Sequence, residues 1–122
     1  MDTTIIKILE HEGPASFTTE GPDGPHMAAT WNSYIEVAGD RVVIIPVGQL
    51  EKTEENIKAG SPLQMIVASR EVRGTNPDGA GFLLTGTAEF KETGIEFNRI
   101  KSRFPWIRAI MIFNIEEEKQ LI

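Results

Sequence analysis

Short β-forming runs separated by turn residues constrain this chain more than any other feature. The runs ASFTTEG and HMAATW flank PDGP, and the runs YIEV and RVVIIPV flank AGD. Glycine, proline and aspartate favour tight turns, so each pair predicts a β-hairpin. The longer runs PLQMIVASREV and GFLLTGTAEF and the final run RAIMIFNI add further strands. Helices are too few to act as crossovers between parallel strands, which favours an antiparallel sheet.

Three helical segments interrupt these strands. Ile5, Ile6 and Leu9 recur at helical spacing before Gly13, which predicts a short helix that ends at a left-handed glycine. TEENIKAG predicts a second helix capped by Thr53. In GIEFNRIKSRF, apolar side chains fall three and four residues apart on one face. Six or seven short strands with few helices predict an all-β fold with short helices, as an antiparallel barrel or, alternatively, a sandwich.

Size and charge narrow the class of protein. With 122 residues, 40% of them hydrophobic, the chain is expected to form one domain over residues 1–122. Its net charge of -6 repels polyanions and disfavours nucleic acid as a partner. A local basic cluster could still meet an anion, although a solvated helix face is the favoured interpretation; its members are Arg99, Lys101, Arg103 and Arg108.

The composition also indicates the cellular compartment. Cysteine is absent, which excludes disulfides and thiolate metal sites and fits a reducing cytoplasm. No run approaches the roughly 20 apolar residues that cross a bilayer, and the first residues lack the apolar core of a signal peptide. We therefore expect a cytoplasmic protein that does not enter a membrane.

The segment PVGQLEKTEENI places Lys52 and Thr53 at a helix start. The free amides there carry a partial positive charge, and Lys52 adds a full one, so the segment can seat a phosphate. A capped surface helix with a nearby lysine is the alternative. Glu54 and Glu55 favour that alternative because carboxylates in the first turn repel a phosphate.

The segment TWNSY alternates as a strand does. A strand that stays regular places Thr30, Asn32 and Tyr34 on one face and Trp31 and Ser33 on the other. Both aromatic rings then reach one ligand only if a bulge breaks the alternation; otherwise one of them packs elsewhere. So many polar groups need hydrogen-bond partners. A ligand with several acceptors would supply them, and water or a neighbouring strand would serve equally well.

Other candidate groups do not assemble into a reactive site. Trp106 suits a core, an interface or a ligand-stacking position. His11 and His26 are far apart in the sequence and lack acidic partners at ligand spacing, so we predict no metal site. No nucleophile, base and acid arrangement stands out, and no catalytic residue is predicted. Any redox or catalytic chemistry would come from a cofactor.

Four segments together carry a resemblance to a known family. GPHMAATWNSY, VVIIPVGQLEKTEENI, GFLLTGTAEF and RFPWIRA resemble the FMN-binding split-barrel family, the superfamily of pyridoxamine 5'-phosphate oxidase. The resemblance covers essentially the whole chain and is greatest to the small bacterial members. It implies a six-stranded antiparallel split β-barrel with Greek-key-like order. It also implies a homodimer with one FMN per subunit in a groove at the subunit interface.

The resemblance assigns roles by position. The residues that it places at the phosphate are Thr30, Lys52 and Thr53, together with Ser69 and Arg70. Those near the ribityl chain and the ring are Trp31, Asn32, Ser33 and Tyr34, with the backbone of Val47 and Gly48. Those that approach the flavin from the partner subunit are Trp106, Leu121 and Ile122.

Two departures from the family pattern bear on function. The small bacterial members have an asparagine before the Thr-Trp pair, where this chain has Ala29, and the C-terminal IEEEKQLI lacks the arginine and histidine signature of the oxidases. We therefore expect an FMN-binding flavoprotein in electron transfer or flavin-dependent redox chemistry, with a redox partner protein. The alternatives are an FMN-dependent oxidase or reductase, and a non-redox module for a deazaflavin or for haem through His26.

Overall fold

The computed structural model describes residues 1–76 and 78–122. Its strands are β1 (Pro14–Gly21), β2 (Gly24–Trp31), β3 (Glu36–Gly39), β4 (Val42–Val47), β5 (Leu63–Ser69), β6 (Ala80–Lys91) and β7 (Ala109–Gln120). Its helices are α1 (Thr3–Leu9), α2 (Glu51–Lys58) and α3 (Ile95–Arg103), with a 3-10 turn at Asn32–Tyr34. The predicted loop between β5 and β6 includes Pro77, which lies outside the described residues. None of the helices in the two described ranges has the length and apolar character needed to span a bilayer.

The strands form one antiparallel sheet in the order β2-β1-β5-β6-β7-β4-β3. The expected antiparallel all-β fold with short helices is confirmed. The expected count of six strands is wrong, because the described residues form seven. The short segment Glu36–Gly39 pairs with β4 and adds a strand at one edge of the sheet.

The connection from β2 to β3 requires the sheet to curl. These two strands lie at opposite edges, and a flat sheet would separate them by six strand spacings, or about 29 Å. Only five residue steps join Trp31 to Glu36, a reach of about 17 Å at full extension. The edges are therefore drawn toward each other as in a barrel. No strand pairing joins β2 to β3 in the described part of the chain, and we call the gap between them the seam.

Alternation along the strands fills the interior of the curled sheet. Fully buried side chains from β1, β5, β6 and β7 meet there; they include Phe17, Met65, Leu84 and Phe113. The predicted PDGP hairpin is confirmed, since Gly21 pairs with Gly24 across a two-residue turn. The predicted apolar face of α3 is also confirmed, with its Ile100 buried.

The predicted first helix forms but differs in two details. Its buried side chains are Ile5 and Ile8, while Ile6 is exposed, because residues three apart share a face and adjacent residues do not. The helix ends at Leu9 and not at a left-handed glycine, since Gly13 has no positive φ. The predicted glycine stop is therefore wrong.

Gly86 marks a register shift between β6 and β7. A Cβ atom there would lie 1.9 Å from the Asn114 carbonyl oxygen, a backbone atom that cannot move aside. We expect Gly86→Ala to lower the free energy of unfolding by about 1–3 kcal/mol, the usual cost of overpacking. Urea unfolding measures this loss.

Gly39→Ala is the matched control. A Cβ atom at Gly39 would lie 3.5 Å from Val42 Cβ, an ordinary van der Waals contact. Its effect should stay within about 0.5 kcal/mol. Equal effects of the two substitutions would contradict this account of the register shift.

Candidate functional site

A cleft of about 270 Å³ opens at the seam, between β2 and the turn that joins β4 to α2. We call it the aromatic cleft. Its lining residues are Ala29, Thr30, Trp31, Tyr34, Pro46, Gly48, Gln49, Leu50 and Trp106. The cleft therefore brings together five residues that the sequence placed near a ligand: Thr30, Trp31, Tyr34, Gly48 and Trp106.

The prediction that TWNSY continues as a regular strand is wrong. β2 ends at Trp31, and a 3-10 turn follows, closed by a hydrogen bond of 3.1 Å from Ile35 N–H to Asn32 C=O. Asn32 N–H donates to Gly13 C=O at 2.7 Å and fixes where the turn begins. The turn breaks the strand alternation, so Trp31 and Tyr34 line the same cleft.

Three aromatic rings pack together at one side of the cleft. Ring centroids lie 4.9 Å apart for Tyr34 and Phe104, 5.9 Å for Tyr34 and Trp106, and 5.6 Å for Phe104 and Trp106. The Trp106 ring lies over Gly48, where a Cβ atom would approach the ring carbons to 3.1 Å. Trp106 thus lines the cleft of its own chain, contrary to the expectation that the partner subunit supplies it. Trp31 and Trp106 each remain about half exposed, at 48% and 52%, and so offer apolar surface to a ligand.

Asn32 and Ser33 support the turn and do not line the cleft. Asn32 is fully buried, and its Nδ2 donates to the backbone carbonyls of His11 and Ala68. Ser33 Oγ donates to Glu12 Oε2 at 2.6 Å. These bonds hold both side chains to their own chain, and their predicted contact with a cofactor stays a prediction.

The start of α2 lies beside the cleft. The helix begins at Glu51, and its N-cap is Leu50, which has left-handed φ and ψ of 67° and 32° and no capping side-chain bond. The prediction that Thr53 caps the helix is therefore wrong, because Thr53 is already the third helical residue. Its hydroxyl is buried without a hydrogen-bond partner in the described part of the chain, which suits a ligand with acceptor oxygens.

The charges around α2 are balanced. Lys52 Nζ lies 3.8 Å from Glu55 Oε2, and Glu54 bonds to Lys58 at 3.0 Å and to Arg108 at 2.8 Å. Burial acts to raise the pKa of Glu54, but the hydrogen bonds from Lys58 and Arg108 outweigh it and hold that pKa below its ordinary value. The two carboxylates that opposed a phosphate site in the sequence are therefore both paired with cations.

The basic cluster does not act as one anion site. Arg99 and Arg103 both pair with Glu36, and Lys101 donates to backbone carbonyls that follow α3. These three residues lie on α3, as the helix-face interpretation expected. Arg108 lies outside the helix and contacts the β4–α2 turn, a position that no sequence signal indicated.

Other predicted residues lie outside the aromatic cleft. Val47 is fully buried, and its carbonyl accepts a hydrogen bond from Arg108 N–H. Ser69, Arg70 and Ile122 line a separate, mainly apolar depression of about 250 Å³. Leu121 lies next to it and is half exposed. Lys52 and Thr53 lie on α2, just beyond the cleft-lining Leu50, so within one chain the predicted site residues do not all meet in one cleft.

A larger, shallower depression of about 540 Å³ lies along α2 and the end of β6. It is lined by charged side chains, including Glu54 and Lys58, which already pair with each other. It has no aromatic cluster comparable to that of the cleft. We therefore regard the aromatic cleft as the candidate ligand site.

The outer face of the sheet carries several exposed apolar side chains next to the cleft, interspersed with the polar Ser16 and Gln64. Strand pairing aligns Ala29 with Ser16, Ser16 with Ile66, and Ile66 with Leu83. Residues that pair in register share a face. Met27 and Trp31 lie two residues on either side of Ala29 and are exposed by 70% and 48%. We call Met27, Ala29, Trp31, Ile66 and Leu83 the apolar outer face; Trp31 belongs both to it and to the cleft.

Solved structures with the same fold place the chain in a structural class. HupZ from Group A Streptococcus is 17% identical, with a TM-score of 0.81 over 99% of this chain and 94% of that one. A putative pyridoxamine 5'-phosphate oxidase from Lactobacillus delbrueckii is 18% identical, with a TM-score of 0.74 over 97% and 91%. The fold is thus that of the pyridoxamine 5'-phosphate oxidase-like proteins.

A closer relative shows the family. The chain is 39% identical over 119 residues to the FMN-binding protein of Nitratidesulfovibrio vulgaris (strain DSM 19637 / Miyazaki F), covering 98% of this chain and 97% of the relative. No family model matches the chain. At this identity and coverage the chain belongs to the FMN-binding protein family, and the resemblance found in the sequence is confirmed.

The bond between Glu12 and Ser33 predicts a pH-dependent turn. The Ser33 hydroxyl, followed by the amides of Gly13 and Ser33, lowers the pKa of Glu12 from 4.5 despite an opposing effect of desolvation. Because the folded-state pKa is depressed, the bond stabilises the turn above the unfolded pKa and is lost as pH falls through the folded one. We expect the Ser33 amide NMR signal to titrate with a midpoint below 4.5.

Glu12→Gln should abolish this titration, because the amide does not ionise. Glu20, an exposed carboxylate on β1, provides the control substitution Glu20→Gln, which should leave the midpoint unchanged. A Ser33 titration that persists in Glu12→Gln would show that another group controls the turn.

Proposed function

We propose that this chain is an FMN-binding flavoprotein, with the flavin ring in the aromatic cleft and the phosphate at the start of α2. One observation carries the proposal: Trp31, Tyr34 and Trp106 line a cleft that reaches Leu50, the N-cap residue of a helix whose first turn has no side-chain cap. Its aromatic end suits a flat ring, and its helical end suits an anion.

The ring end offers apolar contact and close backbone approach. Aromatic pairs are stabilised in offset or tilted stacking, and both indoles at the cleft are half exposed. Gly48 has no side chain, which lets the Trp106 ring pack closely on the backbone at the wall of the cleft. Thr30 adds a hydroxyl in the same wall.

The phosphate end offers donors and positive charge. The first amides of α2 lack intrahelical partners, and no N-cap side chain bonds to them. Thr53 carries the unpartnered hydroxyl, and the half-exposed Lys52 is held to Glu55 only by a contact of 3.8 Å. A phosphate would satisfy these groups and replace that weak surface ion pair.

The bound FMN would supply the redox chemistry, while the protein binds and orients it. We infer a role in electron transfer or flavin-dependent redox chemistry in the cytoplasm, with a redox partner protein. His26 lies on β2 opposite Thr19 and is not part of the cleft lining, which disfavours haem ligation.

We infer that a second copy of the chain covers the apolar outer face. Exposed apolar patches of this kind mark interaction surfaces, and a twofold dimer uses the same patch on both subunits. Trp31 joins this face to the cleft, so a partner seated on it would lie beside the flavin. Leu121 and Ile122 bond to Gly81 of β6, next to the outer face, and would approach the partner's cleft.

FMN uptake tests the proposed function. We expect the purified protein to be yellow, or the colourless protein to take up added FMN with quenching of flavin fluorescence. Because the site is aromatic, the bound flavin spectrum should shift relative to free FMN. Protein that neither contains nor takes up FMN would contradict the proposal. A Soret band on haem addition would favour the haem alternative.

Lys52→Ala provides the site-specific control. Loss of one charge-assisted phosphate contact should weaken FMN binding by about 1.5–3 kcal/mol at a desolvated site. Lys7→Ala removes an exposed lysine from α1 and should leave FMN affinity unchanged. Unchanged affinity in Lys52→Ala would remove this lysine from the phosphate site.

Ile66→Lys tests the dimer. Placing a charge at the centre of the apolar outer face should shift the protein from dimer to monomer in sedimentation velocity and should weaken FMN binding. Ile95→Lys changes an isoleucine that is even more exposed, at 84%, but lies on α3 away from that face. A monomeric wild-type protein, or equal effects of the two substitutions, would count against the dimer.

A further inference from the structure

Arg108 links Gln49, which lines the aromatic cleft, to Glu54 of α2. Its Nε and Nη2 donate to the Gln49 carbonyl at 3.1 and 2.8 Å, and its Nη1 donates to Glu54 Oε1 at 2.8 Å. Its own N–H donates to Val47 C=O at 2.9 Å. One side chain therefore holds the turn between β4 and α2 and also neutralises a carboxylate in the helix.

Glu54 needs that cation because of where it lies. It is the fourth residue of α2, its side chain is only 13% exposed, and its N–H makes the first helical bond, to Leu50 C=O. Its second partner, Lys58, is 69% exposed, so solvent screens that pair. Arg108, at 29% exposure, is the better shielded of the two cations.

The net charge at α2 depends on Arg108. α2 carries three carboxylates, from Glu51, Glu54 and Glu55, and three cations lie on or against it, from Lys52, Lys58 and Arg108; two of these cations pair with Glu54. Without Arg108 the helix start carries a net negative charge next to the position inferred for the phosphate. A negative charge there repels a phosphate but has little effect on a neutral ligand.

We propose that Arg108 is a positioning residue that gives the site its preference for a flavin phosphate over an unphosphorylated flavin. With Lys58 it neutralises Glu54, whose charge in the fourth position of α2 lies close to the helix start, and it holds the Gln49 carbonyl so that Gly48 and Leu50 keep their places in the cleft. The inference rests on the proposed FMN binding. The family resemblance assigns no role to Arg108.

The two roles of Arg108, neutralising Glu54 and holding the Gln49 carbonyl, predict different changes in the affinities for FMN and riboflavin. Neutralisation of Glu54 affects FMN but not riboflavin, which has the same ring and ribityl chain without phosphate. Holding Gln49 affects both ligands equally, because it shapes the ring end of the cleft. The ratio of FMN affinity to riboflavin affinity therefore reports the charge, and riboflavin affinity alone reports the turn.

The experiment measures the dissociation constants of FMN and riboflavin by fluorescence quenching for a series of variants. Arg108→Gln should lower the affinity ratio about tenfold, since a charge-assisted interaction is worth at least that much. Arg108→Lys keeps the charge but lacks the planar fork that bonds Gln49, so it should keep the ratio and weaken both ligands. Adding Glu54→Gln to Arg108→Gln should restore the ratio, because the carboxylate that only the exposed Lys58 still pairs with is then gone.

Arg41→Gln is the matched control. Arg41 also bonds one carbonyl, of Glu116, and one carboxylate, of Glu118, but it lies at the opposite end of β4. Its removal should leave the ratio unchanged. Circular dichroism melts of each variant separate loss of fold from loss of binding, and Arg108→Lys keeps the test decisive if Arg108→Gln unfolds.

The measured affinities distinguish failure of the proposed function from failure of the role assigned to Arg108. If the wild-type protein binds neither flavin, the proposed function and this inference both fail. If the wild type prefers FMN and Arg108→Gln or Arg108→Lys leaves that preference and the riboflavin affinity unchanged, only the role of Arg108 is wrong. A ratio that falls in Arg108→Gln but is not restored by Glu54→Gln would also overturn the inference, because the effect would not pass through Glu54.

Discussion

The four-residue connection between β2 and β3 is the constraint on which the rest of the structure depends. It joins strands at opposite edges of a seven-stranded sheet, so the sheet must curl until its edges approach. The same connection forms the 3-10 turn that directs Tyr34 into the seam next to Trp31. The curvature of the fold and the walls of the cleft therefore have a common cause. Asn32, buried and bonded to His11 and Ala68, holds the connection in place.

Charge pairing around α2 is the second organising feature. A chain with a net charge of -6 is a poor anion binder as a whole, so any phosphate site must depend on local compensation. The structure supplies this compensation by bringing Arg108 from the start of β7 to Glu54, 54 positions away in the sequence. The same arginine bonds the turn below the aromatic cleft. Electrostatics and loop geometry are thus linked through one guanidinium group.

Sequence patterns predicted the features that depend on neighbouring residues. The PDGP hairpin, the buried face of α3 and the antiparallel sheet were all predicted, because turn residues and hydrophobic periodicity act over a few positions. A regular TWNSY strand and a Thr53 cap were predicted, and neither forms. In both places long-range contacts decided the conformation: Gly13 fixes the start of the 3-10 turn, and Arg108 bonds the turn that precedes α2.

The sequence by itself determined the family, the strand-rich fold class and the residue types of the candidate site, because motif order and local propensity are written along the chain. Only the tertiary structure decided which of those residues meet. It joined Trp31, Tyr34, Gly48 and Trp106 in one cleft and placed Ser69, Arg70 and Ile122 in another depression. The physical reason is the curl of the sheet, which sets distances between residues far apart in sequence. No local pattern encodes those distances, since they depend on how all seven strands pair.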